Sequence, residues 1–192
     1  LRGHKWIFKA AQPNANGGMD FVNLTSAQKK RVNKYTEALE VAAKSAVANP
    51  PFSNFFVKVG VGSARGKMLP GGNIEYGICQ ALHGEESAVA AFRSHYGRKN
   101  VGEAVLGIIA GNPGSITTPC GNCRDIMLED LGANFEIVSG AASGGLAVVA
   151  KISQYLFYGF GSLAVGNLHP DTVDKMKVAI HQPEHLPWLG FF

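Results

Sequence analysis

Between Thr25 and Pro50 the apolar positions Val32, Tyr35, Leu39, Ala42, Ala43 and Ala46 recur at helical spacing, behind a Thr25/Gln28 capping-box pattern and ahead of a stop at Pro50-Pro51. The spacing predicts an amphipathic helix. The period then drops to two: Val57, Val59 and Val61 alternate with Lys58 and Gly60, which predicts a strand over Phe55 to Gly62. Gly72 to Tyr76 follows as a second strand, behind a turn at Pro70-Gly71. Helical spacing returns with Ala88, Val89 and Phe92 in a segment from Gly84 to about His95. Val101 to Ala110 reads as a buried strand, Gly121 to about Leu131 as a helix, and Phe135 to Val138 and Leu146 to Ile152 as strands. Strand, helix, strand, helix, strand from Gly72 onward predicts an α/β sheet with helices packed on it. Residues 1 to 24, with a Pro, Asn and Gly cluster at Pro13 to Gly18, read as an arm or loop.

Composition changes this picture little. At 192 residues and 46% hydrophobic content, the chain buries one core of ordinary size with length left for a terminal extension. The net charge of +4 is spread out, with Lys29, Lys30 and Arg31 the only tight cluster, which argues weakly for nucleic acid. Three cysteines, two of them in a Cys-x-x-Cys, make no disulfide framework; thiolates kept free for metal point to a reducing compartment and so to the cytoplasm. No apolar run approaches the roughly 20 residues that cross a bilayer, and residues 1 to 18 lack the apolar stretch of a signal peptide.

A split motif moves the reading from architecture to chemistry: His83-Gly84-Glu85 and, further along, Pro119-Cys120-Gly121-Asn122-Cys123-Arg124. His83, Cys120 and Cys123 supply three metal ligands and Glu85 a carboxylate that need not be one, the inventory of a catalytic zinc. Both halves fall at predicted helix starts beside one sheet edge, so residues distant in sequence can share an ion. One imidazole and two thiolates leave a fourth tetrahedral position for water, whose pKa zinc lowers to about 7. Glu85 faces that position as proton shuttle. Glu86 points about 100° away on a helix and reads as solvated or as a cap. Arg124, next to a ligand thiolate, damps its charge. Cys-x-x-Cys also occurs in structural zinc knuckles and redox sites, but a structural site wants a fourth protein ligand. Cys79 is available for that, and otherwise reads as a small buried core residue. His4, His95, His169, His181 and His185 have no partner at ligand spacing and read as surface or packing residues.

From about Tyr35 to Phe160 the sequence resembles the zinc-dependent cytidine deaminases of nucleoside salvage. Pro51-Phe52-Ser53-Asn54-Phe55 is similar to that family's substrate-facing segment, and Gly72-Asn73-Ile74-Glu75 to its ribose-binding strand. His83-Gly84-Glu85-Glu86-Ser87-Ala88 is similar to the subgroup with histidine as first ligand. The resemblance implies a three-layer α/β/α sandwich with a mixed central sheet. It implies Phe55 against the pyrimidine, Asn73 and Glu75 on the sugar hydroxyl from one face of a strand, and a homo-dimer or homo-tetramer. Lys58 departs from the glycine expected after the aromatic segment, Tyr76 from the asparagine of many relatives, and Leu156 to Gly161 only loosely matches the family's closing stretch. Residues 176 to 192 resemble the opening of WbqC-like proteins, a family often associated with biosynthetic gene clusters. The expected organisation is therefore an arm at 1–24, a deaminase domain at 25–168, and at 169–192 a linker with the truncated start of a second domain.

The leading expectation is hydrolytic deamination of cytidine or deoxycytidine, with the same chemistry on an amidine or guanidine group of a specialised-metabolite intermediate as the alternative. Polynucleotide editing lacks a basic stripe with interleaved aromatics. A non-catalytic zinc interaction module is the remaining class, and an intact Glu85 argues against it.

Overall fold

The computed structural model describes residues 6–14, 19–44, 46–63, 66–97, 104–111 and 116–155. Leu156 to Gly161 and the C-terminal stretch 176–192 lie outside the described residues. Among the described residues, no helix is long and apolar enough to cross a membrane.

Where the sequence suggests an arm, the structure has two strands, β1 (Trp6–Pro13) and β2 (Met19–Val22). Thr25 then caps α1 (Ser26–Lys30) with the expected capping box. Arg31 leaves helical geometry, and α2 (Val32–Lys44) carries the amphipathic pattern onward. The Arg31 guanidinium lies 2.6 Å from Glu136, which also accepts the buried Tyr35 hydroxyl at 2.7 Å. Burial, reinforced by the bond to the Glu136 carboxylate, pushes the Tyr35 phenol far above its ordinary range.

The remaining strands are β3 (Val57–Gly62), β4 (Leu69–Gly72), β5 (Ile74–Tyr76), β6 (Gln80–Leu82), β7 (Val105–Ala110), β8 (Glu136–Gly140) and β9 (Gly145–Lys151), and the remaining helices are α3 (Gly84–Tyr96), α4 (Gly121–Leu131) and α5 (Ile152–Tyr155). Seven strands form one mixed sheet in the order β2-β1-β9-β8-β7-β3-β4, with β1/β9 and β7/β8 parallel and the other pairs antiparallel. β5 and β6 make a separate small hairpin.

Two glycines and their neighbours place the layers. Gly60 and Gly107 are paired across β3 and β7, and a Cβ on Gly60 would stand 2.3 Å from the Ala38 carbonyl oxygen of α2. Val59, one residue along, faces the opposite side because strand side chains alternate. Its partner Gly71 sits against α3, where an added Cβ would lie 2.5 Å from the Ala88 backbone nitrogen. Thus α2 covers one face, α3 covers the other with α4 packed beside it, and the expected α/β/α sandwich is present. The α2 face is filled by Tyr35, Ala38, Leu39 and Ala42 against Val105, Ile109, Val138 and Val149.

The expected turn at Pro70-Gly71 is corrected: both residues lie within β4. An edge strand tolerates proline because the missing N–H can face away from the ladder. The second strand expected at Gly72 to Tyr76 is consequently split, its end moving into the β5/β6 hairpin.

Candidate active site

The two halves of the split motif sit at the N-termini of neighbouring helices. His83 is the N-cap of α3 and Cys120 the N-cap of α4, so both helix dipoles present their positive ends to one spot. Gly84 lets α3 start tight against β3: a Cβ there would stand 2.9 Å from both the Val57 side chain and its carbonyl oxygen. Ser87 ties the same turn to β4, accepting the Gly72 N–H at 2.9 Å.

His83 Nδ1 lies 3.2 Å from Cys123 Sγ and 3.3 Å from Cys120 Sγ, and all three donor atoms fall within 4.8 Å of one another. Bonds of about 2.0–2.1 Å to nitrogen and about 2.3 Å to sulfur around a tetrahedral ion separate neighbouring donors by roughly 3.5–3.8 Å. The two nitrogen–sulfur separations are therefore within a few tenths of an ångström of those around a zinc ion, and the donor set suits that ion. Among the described residues the metal-capable group stops at these three. Cys79 does not join it, and the expectation of a buried core cysteine is also corrected: Cys79 is exposed in the β5/β6 turn, at a φ of 59°.

Glu85, in the first turn of α3, is only 5% exposed. Burial raises its carboxyl above the ordinary range, against lowering contributions from backbone, Cys123 and His83. Burial likewise pushes the Cys123 thiol far up, assisted by the Glu85 and Cys120 charges. That holds the proton on Cys123 while no cation is present; a bound divalent ion displaces it, because thiolate is the ligating form. Arg124 donates from Nε to the Pro119 carbonyl at 2.7 Å, which fixes the loop immediately before Cys120.

A cleft of about 320 Å³ opens onto the cluster and is lined by Phe55, Asn73, Glu75, His83, Glu85 and Cys120, together with Ser53, Val57, Ala81, Leu82, Ile108, Ala110, Thr117 and Thr118. The volume lies at the small end for ligand sites. Asn73 precedes β5, so the expected two-apart placement on a single strand is replaced by a loop residue and a strand residue facing one cleft. The Asn73 side chain clamps the neighbouring segment, accepting from Val57 N–H and donating to the Phe55 carbonyl, both at 2.8 Å. Glu75 accepts from the Phe52 and Ser53 N–H groups at 2.8 and 2.9 Å. These bonds, led by the Ser53 side chain, hold the Glu75 carboxyl below its ordinary value. A depressed carboxyl contributes its stabilisation above the unfolded-state pKa and loses it as pH falls through the folded one. In an NMR titration the Phe52 and Ser53 amide shifts are accordingly expected to move together, with a midpoint below that of an unstructured glutamate.

The aromatic segment itself is exposed, with Phe55 at 44% and Phe52 at 70%. His95 is exposed beside the Tyr96 ring, as a surface histidine should be. Glu86, expected to be solvated or a cap, does cap α3, its Oε2 accepting the His83 N–H at 2.8 Å, and Asn122 Nδ2 donates to its Oε1.

No protein-family model matches the chain. A curated cytidine deaminase of Shewanella pealeana is 32% identical over 145 residues, 72% of this chain but 43% of that protein, so the chain spans less than half the length of this relative. Among solved structures, cytidine deaminase from Burkholderia pseudomallei aligns with a TM-score of 0.55 at 23% identity, covering 67% of this chain and 98% of that one. The enzyme from Mycobacterium leprae aligns at 0.50 and 27% identity, covering 62% and 93%. The chain is thus related in sequence to a curated cytidine deaminase and shares the fold of solved cytidine deaminases, with a His/Cys/Cys cluster at its paired helix starts.

Proposed function

We propose that the chain hydrolyses the exocyclic C–N bond of a cytosine nucleoside, cytidine or deoxycytidine, giving the uracil nucleoside and ammonia. The observation that carries the reading is the buried Glu85 carboxyl beside a three-donor metal cluster at the floor of a cleft of nucleoside size. His83, Cys120 and Cys123 would hold the ion. Bound there, zinc supplies Lewis-acid activation of water at the one position that three protein ligands leave open.

The chain's own residues then divide the work. Glu85 takes a proton from the attacking water and gives it to the ring nitrogen next to the amino-bearing carbon, then takes the remaining proton of the added hydroxyl and passes it to the departing amine. Its burial favours this, because a carboxyl raised toward the working pH holds and releases a proton with little driving force either way. Phe55 lays its ring along the pyrimidine. Asn73 and Glu75 have each spent part of their bonding capacity on the 52–57 segment, but an amide and a carboxylate retain further sites, and these face the sugar hydroxyl. The same bonds make Asn73 and Glu75 preorganised rather than free-swinging, which saves ordering entropy on binding.

The family resemblance supports a homo-oligomer in which neighbouring copies finish the open side of the cleft, and the exposed Phe52 and Phe55 at its rim are consistent with that. The test is direct. Zinc-loaded protein offered cytidine and deoxycytidine should release stoichiometric ammonia and lose the cytosine absorbance band; zinc-replete protein that leaves both nucleosides unchanged overturns the proposal.

A further inference from the structure

One carboxylate joins the two halves of the cluster without being a donor to it. Glu86 is the third residue of α3, and its Oε2 accepts the backbone N–H of His83 at 2.8 Å, as a third-position glutamate does in a capping box. A cap accounts for that oxygen alone. Its Oε1 accepts from Nδ2 of Asn122, which stands between Cys120 and Cys123 in the first turn of α4. Thus a single side chain is bonded at one oxygen to the residue that supplies the imidazole and at the other to the turn that supplies both thiols. Glu86 and Asn122 are 36 apart in sequence, and β7 lies between them.

We infer that Glu86 and Asn122 form a clasp that sets the spacing of α3 against α4 and so holds His83 within reach of Cys120 and Cys123. Both are positioning residues. Neither touches the reacting atoms or offers an atom to the three-donor group. The clasp acts by preorganisation: with the helix starts tied, the donors need not be gathered when the ion binds, and partners outside the ligand set typically carry about 10–100-fold in metal affinity. A role for Glu86 merely as a negative charge near a cation predicts a different pattern, and the two can be separated by changing charge and bonding independently.

The inference rests on the zinc reading of the cluster, so the experiment begins with the native chain. Zinc-loaded protein is mixed with an excess of chelator and the release of zinc is followed with a chromogenic indicator. Glu86→Gln removes a charge but keeps both bonds, its amide oxygen accepting from His83 N–H and its NH2 donating to Oδ1 of a turned-over Asn122 amide. Asn122→Asp adds a charge and opposes two carboxylates. Asn122→Ala changes no charge and removes the bond. The clasp requires both Asn122 variants to release zinc faster, by about 10-fold or more, and Glu86→Gln to stay near the native rate. The exchanged pair Glu86→Gln/Asn122→Asp restores every bond with the direction of the clasp reversed: the amide oxygen now at position 86 accepts from His83 N–H, and the amide NH2 beside it donates to the carboxylate at position 122. It also keeps the native net charge, and it should return to the native rate.

An ordering by charge instead, with Glu86→Gln faster, Asn122→Ala unchanged and Asn122→Asp slower, overturns the clasp. So do Asn122 variants at the native rate, or an exchanged pair no better than Asn122→Asp. Asn122 is exposed, so its two variants carry the test even if Glu86→Gln fails to fold, and melting of the metal-free proteins reports that separately. A native chain that takes up no zinc sinks the zinc reading and the clasp together, whereas native binding with indifferent Asn122 variants sinks the clasp alone.

Discussion

Glu85→Gln is expected to cut turnover of a cytosine nucleoside by about 10²–10⁴-fold or more while leaving the zinc content per chain unchanged. The substitution keeps the size and shape of a side chain that is only 5% exposed, so the packing of the first turn of α3 survives. What it removes is the capacity to gain and lose a proton. Both protons of the attacking water pass through this carboxyl in the proposed reaction. Among the described residues lining the cleft the other carboxylate is Glu75, and it is engaged by the backbone of Phe52 and Ser53. Ammonia release under saturating substrate, with metal content measured on the same sample, reads both halves of the expectation. Turnover within a few-fold of native removes Glu85 from the shuttle role. Loss of zinc would say instead that Glu85 belongs to the ligand set, which the three-donor geometry argues against.

The elements that carry this chemistry were legible in the sequence because local rules govern them. α4 runs from Gly121 to Leu131 as its pattern implies, and α3 ends at Tyr96, one residue past the expected His95, with Gly97 at a φ of 64° closing it. Capping and period are short-range signals. The N-terminal hairpin has no such signal: β1 pairs in parallel with β9, from Trp6 against Gly145 to Ala10 against Val149, and Trp6 donates to the Ala141 carbonyl at 3.1 Å. No local pattern in Trp-Ile-Phe-Lys-Ala-Ala-Gln-Pro announces a partner more than a hundred residues away. Pro70-Gly71 misled for the opposite reason, since its local preference for a turn is overridden by an edge position in the sheet.

Within the site the same division holds. His83, Glu85, Cys120 and Cys123 are read from spacing because a shared ion demands particular residue types at helix starts. Phe55, Asn73 and Glu75 came from family resemblance, and the structure does bring all three to the cleft, although Asn73 lies in a loop rather than in the strand. The bonds by which Asn73 and Glu75 organise residues 52 to 57 could not be read, because they depend on how a hairpin folds beside a separate segment. The Glu86 to Asn122 bond was hidden in the same way: each residue sat inside a motif whose neighbours explained it.

Cys120→Ser should separate metal binding from folding more cleanly than any other ligand change. Cys120 is exposed and caps α4 at φ −68° and ψ 170°, yet its thiol makes no capping bond. Serine is among the favoured N-caps, worth about 0.5–2 kcal/mol over a residue that cannot cap, so the helix keeps or gains stability. The metal site moves the other way. A hydroxyl does not ionise at neutral pH and is a poor partner for zinc, leaving one imidazole and one thiolate. Zinc affinity is expected to drop by more than the roughly 10–100-fold that loss of an outer partner causes, and nucleoside turnover should fall with zinc occupancy. Cys123→Ser is less informative because Cys123 is buried, and the change disturbs packing and ligation at once. Zinc retained after dialysis against chelator, far-UV circular dichroism and a melting curve of the metal-free protein together read the outcome. A folded Cys120→Ser chain that keeps native zinc would show that Cys120 is not a ligand, and the three-donor reading would fall with it.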